Sequence, residues 1–121
     1  MTEIARNIYC FPVPLPGSPL KELNGYIVKG EGRSLMVDVG FNTSEGYDAV
    51  MGALSELSLP LSDVDVFLTH LHADHTGLIE RLKGECGKIY ISEADSGPVN
   101  RNFEDSYWIE CMAVQRHMGF P

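Results

Sequence analysis

The sequence is poor in cysteine, poor in cationic side chains and free of long apolar runs. Its three cysteines, Cys10, Cys86 and Cys111, are odd in number, widely spaced and never part of a C-x-x-C pair. Neither a disulfide framework nor a thiolate zinc knuckle is expected from them. Each reads instead as a buried, small apolar side chain. Nine Lys and Arg stand against seventeen Asp and Glu, a formal net charge of -8. A nucleic acid or an anionic membrane wants a basic face, so neither is expected as a partner. No apolar run approaches the roughly 18 residues of a membrane-spanning helix. Met1 to Pro16 lacks the basic segment and long apolar run of a secretory leader. A reduced, cytoplasmic protein is the expectation. Internal repeats and low-complexity stretches are also missing.

What remains is an ordinary globular composition, 44% hydrophobic and 21% charged over 121 residues. That length corresponds to a single domain, and it suffices to bury about two-thirds of the unfolded surface.

Ile4 to Val13 reads as an opening strand, and Pro12, Pro14, Pro16 and Pro19 turn the next segment into an extended loop. Tyr26-Ile27-Val28 and Ser34 to Val39 read as a hairpin pair, with Gly30-Glu31-Gly32 supplying the turn. Both strands are apolar on both faces, which predicts a sheet covered on each side. From Glu45 to Leu57, Val50, Ala53, Leu54 and Leu57 recur at helical spacing. Val64 to Thr69 is a short apolar strand, Leu78 to Leu82 a short helix, Lys88 to Ser92 a strand, and Asn102 to Met118 a longer helix. Strands first and β–α–β alternation afterwards predict an α/β domain with a mixed sheet.

The most informative stretch is Thr69-His70-Leu71-His72-Ala73-Asp74-His75-Thr76-Gly77. Three of the chain's four histidines fall within these residues. Imidazole and carboxylate are ligands of borderline divalent metals such as zinc, and no thiolate is needed. If the chain is still extended at His70 and His72, their side chains point to one side and can share an ion. Asp74 and His75, just past the bend, can then aim at a second ion from another direction. Gly77 would let the chain turn tightly before the next helix. A loop at the C-terminal end of a strand is where α/β folds commonly build sites. A solvated turn that happens to hold histidines is the plain alternative, and the density of ligand-type residues weighs against it.

His70-x-His72-x-Asp74-His75, preceded by Thr69 and followed by Gly77, resembles the signature loop of the metallo-β-lactamase fold hydrolases. Asn24-Gly25-Tyr26-Ile27-Val28 and Leu35-Met36-Val37-Asp38-Val39-Gly40 are similar to that family's paired strands ending in Asp-x-Gly. The likeness runs in order up to about Ser92. It implies an αββα sandwich, of which this chain would hold the first αβ half, with the site at one edge of the sheets. By position, His70 and His72 would hold a first metal, and Asp74 and His75 a second. Asp38 would be a supporting carboxylate that steadies the loop; a strand-end residue capping the next turn is the competing reading. Two divalent ions are implied, zinc by default, with iron or manganese compatible with the same donors. Metal-activated hydroxide would attack an ester, thioester, lactone or similar bond of a small-molecule substrate. Asp74 would orient it and pass its proton to the leaving group, the catalytic role.

The family completes its site with later ligands, and here only His117 remains. It lies near the end of the expected last helix, with Gly119 and Pro121 as stop signals, and reads as a helix-end residue. Asp95 and Asp105 read as first-turn acids of helices. The expectation is therefore the first half of a longer hydrolase, itself inactive. An uncovered apolar sheet face would then invite homo-oligomer formation. A non-catalytic metal-binding or assembly half-domain is the alternative. An amidohydrolase-type barrel also places His-x-His at a strand end, but there the motif follows the first strand, and Asp74-His75 fits it less well.

Overall fold

The computed structural model describes residues 1–100. One six-stranded sheet runs in sequence order, β1 (Thr2–Ala5), β2 (Ile8–Pro14), β3 (Glu22–Val28), β4 (Ser34–Val37), β5 (Val64–Phe67) and β6 (Ile89–Tyr90). The first four strands are antiparallel neighbours, and β4, β5 and β6 are parallel. Parallel neighbours need a crossover. Helix α1 (Ser44–Glu56) carries the chain from β4 to β5. Two short helices, α2 (Ala73–Thr76) and α3 (Ile79–Leu82), lie between β5 and β6, and α4 (Glu93–Asn100) comes after them. This is the mixed sheet with helices expected of the αβ half. No described helix is long and apolar enough to cross a membrane.

The opening segment is two strands, not the one expected over Ile4 to Val13. Asn7 sits in the left-handed region at φ 61°, a conformation Asn tolerates better than most residues. The chain therefore reverses there, and the Asn7 N–H donates to Glu3 Oε1 at 2.9 Å. The β3–β4 hairpin forms as expected, with the Gly30 N–H donating to Ser34 Oγ at 3.2 Å. Helix α1 also matches its periodicity. Thr43 caps it by accepting the Gly46 N–H at 3.0 Å, and Val50, Ala53 and Leu54 are its buried stripe.

That stripe packs on one sheet face. Phe11, Val13, Ile27, Met36, Val64 and Val66 alternate along their strands into a single core, joined by Leu68, Leu78 and Leu82. The other face differs from the expectation of cover on both sides. Cys10, Tyr26 and Val37 are paired across it and half-buried, whereas Val28 and Phe67 are exposed. The cysteine expectation is met halfway: Cys10 and Cys86 are free and half-buried, and burial pushes the Cys86 thiol up. Asp95 stands in the first turn of α4, its N–H donating to Ser92 Oγ at 3.3 Å. Cys111, Asp105, His117 and the helix expected over Asn102 to Met118 lie outside the described residues.

Candidate metal centre

The site is built where two neighbouring parallel strands end. On leaving β4, Asp38 adopts φ 57°, yet its N–H still donates to the Phe67 carbonyl of β5 at 3.0 Å. The ladder thus carries one step beyond the strands and fixes the spacing of the loops beyond them. Two further backbone bonds fasten the loops together, Val39 N–H to His75 O at 2.9 Å and Leu78 N–H to Gly40 O at 3.0 Å. Gly40 has φ 92°, and a Cβ there would stand 2.6 Å from Val13 Cγ1. Glycine is required on both counts.

Gly77 acts differently from the sequence expectation. Its φ is -58°, an ordinary helical value, so no special turn freedom is used. A Cβ at Gly77 would lie 2.7 Å from Ala73 O and 2.9 Å from Asn42 N. The missing side chain lets the His-rich loop sit directly on the loop after β4.

Within that frame the His-rich segment bends at once after the strand. Residues 69–71 form a bend, His72 is the extended residue before α2, and Asp74 and His75 lie on the helical turn. The expected picture of His70 and His72 on a still-extended strand therefore does not hold. The three imidazoles make one cluster instead: the His70 ring centroid is 4.7 Å from that of His72 and 4.1 Å from that of His75.

Asp38 is the hub of the loop. It is 6% exposed, and its carboxylate accepts three hydrogen bonds. Oδ1 takes the Thr69 N–H at 2.9 Å, and Oδ2 takes the Thr69 hydroxyl and His75 Nδ1, both at 2.8 Å. These partners lie 31 and 37 positions along the chain. None belongs to the turn directly after Asp38, and none is a Lys or Arg. Thr69 Oγ1 also lies 2.9 Å from His70 Nδ1. Sequence reasoning places Thr69 in the motif but misses its hydrogen bonds; the signal is a hydroxyl directly before the first histidine. It also misses Thr76, which is buried and donates to the His72 carbonyl at 3.2 Å.

Does this donor set suit a metal? Because a carboxylate only accepts, His75 Nδ1 must carry a proton, and in the neutral ring Nε2 then keeps its lone pair. That Nε2 lies 3.5 Å from Asp74 Oδ2. Two ligands about 2.0–2.2 Å from one tetrahedral ion stand about 3.4 Å apart, so the separation fits a shared ion. A carboxylate behind a histidine ligand is also the usual outer partner of a metal site. The donors fit in kind and in this pair. Among the described residues, however, no three or more His, Cys, Asp or Glu side chains are gathered to hold a metal ion.

Comparison with known proteins bears on the family and the fold. The family model described as the metallo-beta-lactamase superfamily matches residues 22–113. A probable metallo-hydrolase of Bacillus subtilis (strain 168) is 43% identical over 61 residues, covering 50% of this chain and 19% of that protein. The atrochrysone carboxyl ACP thioesterase of Emericella nidulans is 35% identical over 86 residues, covering 66% of this chain and 27% of its own length. Among solved structures, a metallo-beta-lactamase family protein from Thermus thermophilus superposes with a TM-score of 0.82 at 29% identity, over 98% of this chain and 40% of that one. The chain thus spans well under half the length of each.

Proposed function

Because the chain belongs to the metallo-beta-lactamase superfamily, whose members generally hold divalent metals, we propose that it carries the first group of metal donors of a metal-dependent hydrolase. His70 and His72 would hold one ion, Asp74 and His75 a second. Zinc is the default on ligand chemistry, and iron or manganese is compatible with it. Bound there, such an ion would lower the pKa of a water toward about 7, supplying a nucleophile at neutral pH. The chain's own residues do the rest. Asp38 holds His75 by Nδ1, so that Nε2 stays free to donate its lone pair. Asp74 is the catalytic acid–base: with Oδ2 given to the ion, its other oxygen, Oδ1, takes a proton and passes it to the leaving atom. The bond cleaved would be an ester, thioester, lactone or similar group of a small molecule, within the reduced cytoplasm that the free cysteines suit.

The observation that carries this reading is the His75 Nε2–Asp74 Oδ2 separation of 3.5 Å, with Asp38 fixed behind the histidine. The lack of any three gathered donors among the described residues favours a second reading, a non-catalytic metal-binding or assembly half-domain. Association through the more open sheet face would suit that role. Metal analysis of chain 1–121, together with ester and thioester hydrolysis by wild type and Asp74→Ala, separates the two. Turnover abolished in Asp74→Ala supports catalysis by this chain. Metal uptake without turnover is shared by an inactive first half of a hydrolase and a metal-binding half-domain. Turnover that appears with wild type, but not Asp74→Ala, when the ligand-bearing remainder of the fold is supplied supports the hydrolase. No uptake by the wild type overturns metal binding in both readings.

A further inference from the structure

Three histidines share the site, but their ring nitrogens are not held alike. His75 Nδ1 bonds Asp38 directly at 2.8 Å. The His72 ring makes no hydrogen bond among the described residues; its contact is the edge-on packing against His70. Among the described residues His70 has a single hydrogen-bond partner, the Thr69 hydroxyl at 2.9 Å from Nδ1. That hydroxyl is also 2.8 Å from Asp38 Oδ2.

A hydroxyl has one proton and two lone pairs. Between a carboxylate and a neutral imidazole, the proton goes to the carboxylate, where the bond is charge-assisted and about twice as strong. Thr69 Oγ1 then has only lone pairs left for His70. A lone pair on His70 Nδ1 would face a lone pair on oxygen at 2.9 Å, which is repulsive, whereas an Nδ1–H would donate. We infer that Thr69 is a positioning residue that relays the Asp38 carboxylate to His70, holding it as the Nδ1–H tautomer with Nε2 free. One buried carboxylate thereby sets two imidazoles, His75 directly and His70 through one hydroxyl.

The consequence for metal binding rests on the reading proposed above; the tautomer itself does not. If Nε2 of His70 is the donor atom, the relay readies it before any ion arrives. Without the relay, part of the His70 population would carry its proton on the donor atom and would have to lose it first.

The experiment uses the metal-free chain at pH about 8, above the ordinary histidine range. Two-bond proton–nitrogen spectra report the tautomer of each histidine. In the wild type, His70 and His75 are expected as Nδ1–H forms and His72 as a mixture. In Thr69→Val, which keeps the shape and removes the hydroxyl, His70 shifts toward Nε2–H while His75 is unchanged. Thr69→Ser restores the wild-type pattern. Zinc titrations of the same proteins should show affinity about 10–100-fold weaker in Thr69→Val and recovered in Thr69→Ser. A His70 that stays Nδ1–H in Thr69→Val, or is not restored by Thr69→Ser, overturns the relay. If Thr69→Val fails to fold, an Nε2–H His70 in the wild type does so alone. A wild type that takes up no zinc but shows the expected tautomers sinks the metal reading and leaves the relay standing.

Discussion

Two aspartates mark the opposite ends of the parallel pair β4–β5, and they are used in contrary ways. At the start of β5, Asp65 meets the Arg33 guanidinium at 2.6 Å and accepts the Lys88 N–H at 2.7 Å. Beyond the other end, Asp38 also accepts several hydrogen bonds, but from an amide, a hydroxyl and an imidazole. Asp65 is answered by a full positive charge near solvent, where the ion pair is screened and of modest worth. Asp38 is buried, with no Lys or Arg bonded to it among the described residues, so its charge is spread over dipoles. The first carboxylate ties the edges of the fold. The second keeps unspent negative charge beside a set of imidazoles, which is the electrostatic condition for attracting a cation.

The sharpest way to break this contrast is Asp38→Asn. Asparagine tolerates the left-handed backbone and keeps the size, but its amide cannot accept all three bonds. Leaving donors unmatched in a buried position should cost on the order of 3 kcal/mol in urea denaturation, and zinc affinity should fall together with it. An Asp38→Asn protein as stable as the wild type would remove Asp38 as the hub.

Asp65→Asn should have a smaller effect, and one that depends on conditions. The Arg33 guanidinium holds the Asp65 carboxyl below the usual carboxylate range, helped by the Lys88 N–H. A lowered folded-state value means the stabilisation is complete above the unfolded carboxylate range and is lost as pH falls through the folded value. The gap in denaturation midpoint between wild type and Asp65→Asn should therefore be full at neutral pH, narrow in acid and shrink in high salt. A gap that ignores both would mean the ion pair is not its source.

The smallest expected effect on stability belongs to His72→Ala. His72 is exposed and its ring has no hydrogen bond among the described residues, so the change should stay within about 0.5 kcal/mol. Metal affinity should nonetheless drop. A large loss of stability would show that His72 holds the loop and is not kept for a ligand.

Much of the frame is legible in the sequence because its signals are local. The spacing of Val50, Ala53 and Leu54 announces α1, and Gly30-Glu31-Gly32 announces the hairpin. The opening strand is misread because Arg6-Asn7 looks like a continuation unless Asn7 is allowed to turn left-handed. The His-rich loop is legible as a cluster of His and Asp side chains but not as a shape. Asp74, His75 and Thr76 have little helix propensity, yet they form a turn because the loop is fastened to Val39 and Gly40. The partners of Asp38 lie too far along the chain for spacing to reveal. Gly77 stands out for the right position and the wrong reason, since a close approach leaves no trace in local conformation.

The continuation of the β4–β5 ladder from Asp38 N–H to the Phe67 carbonyl also acts as a safeguard on assembly. Asp38 and Thr69 belong to loops that would otherwise be free to settle at many relative offsets. Here the offset is inherited from the pairing of Met36 with Val66 and Val37 with Phe67. A slip by one residue would turn Val64 and Val66 outward and drive Asp65 into the apolar core. Misalignment of the site is thus rejected by the packing of residues that never touch it, before any ligand is present to test the result.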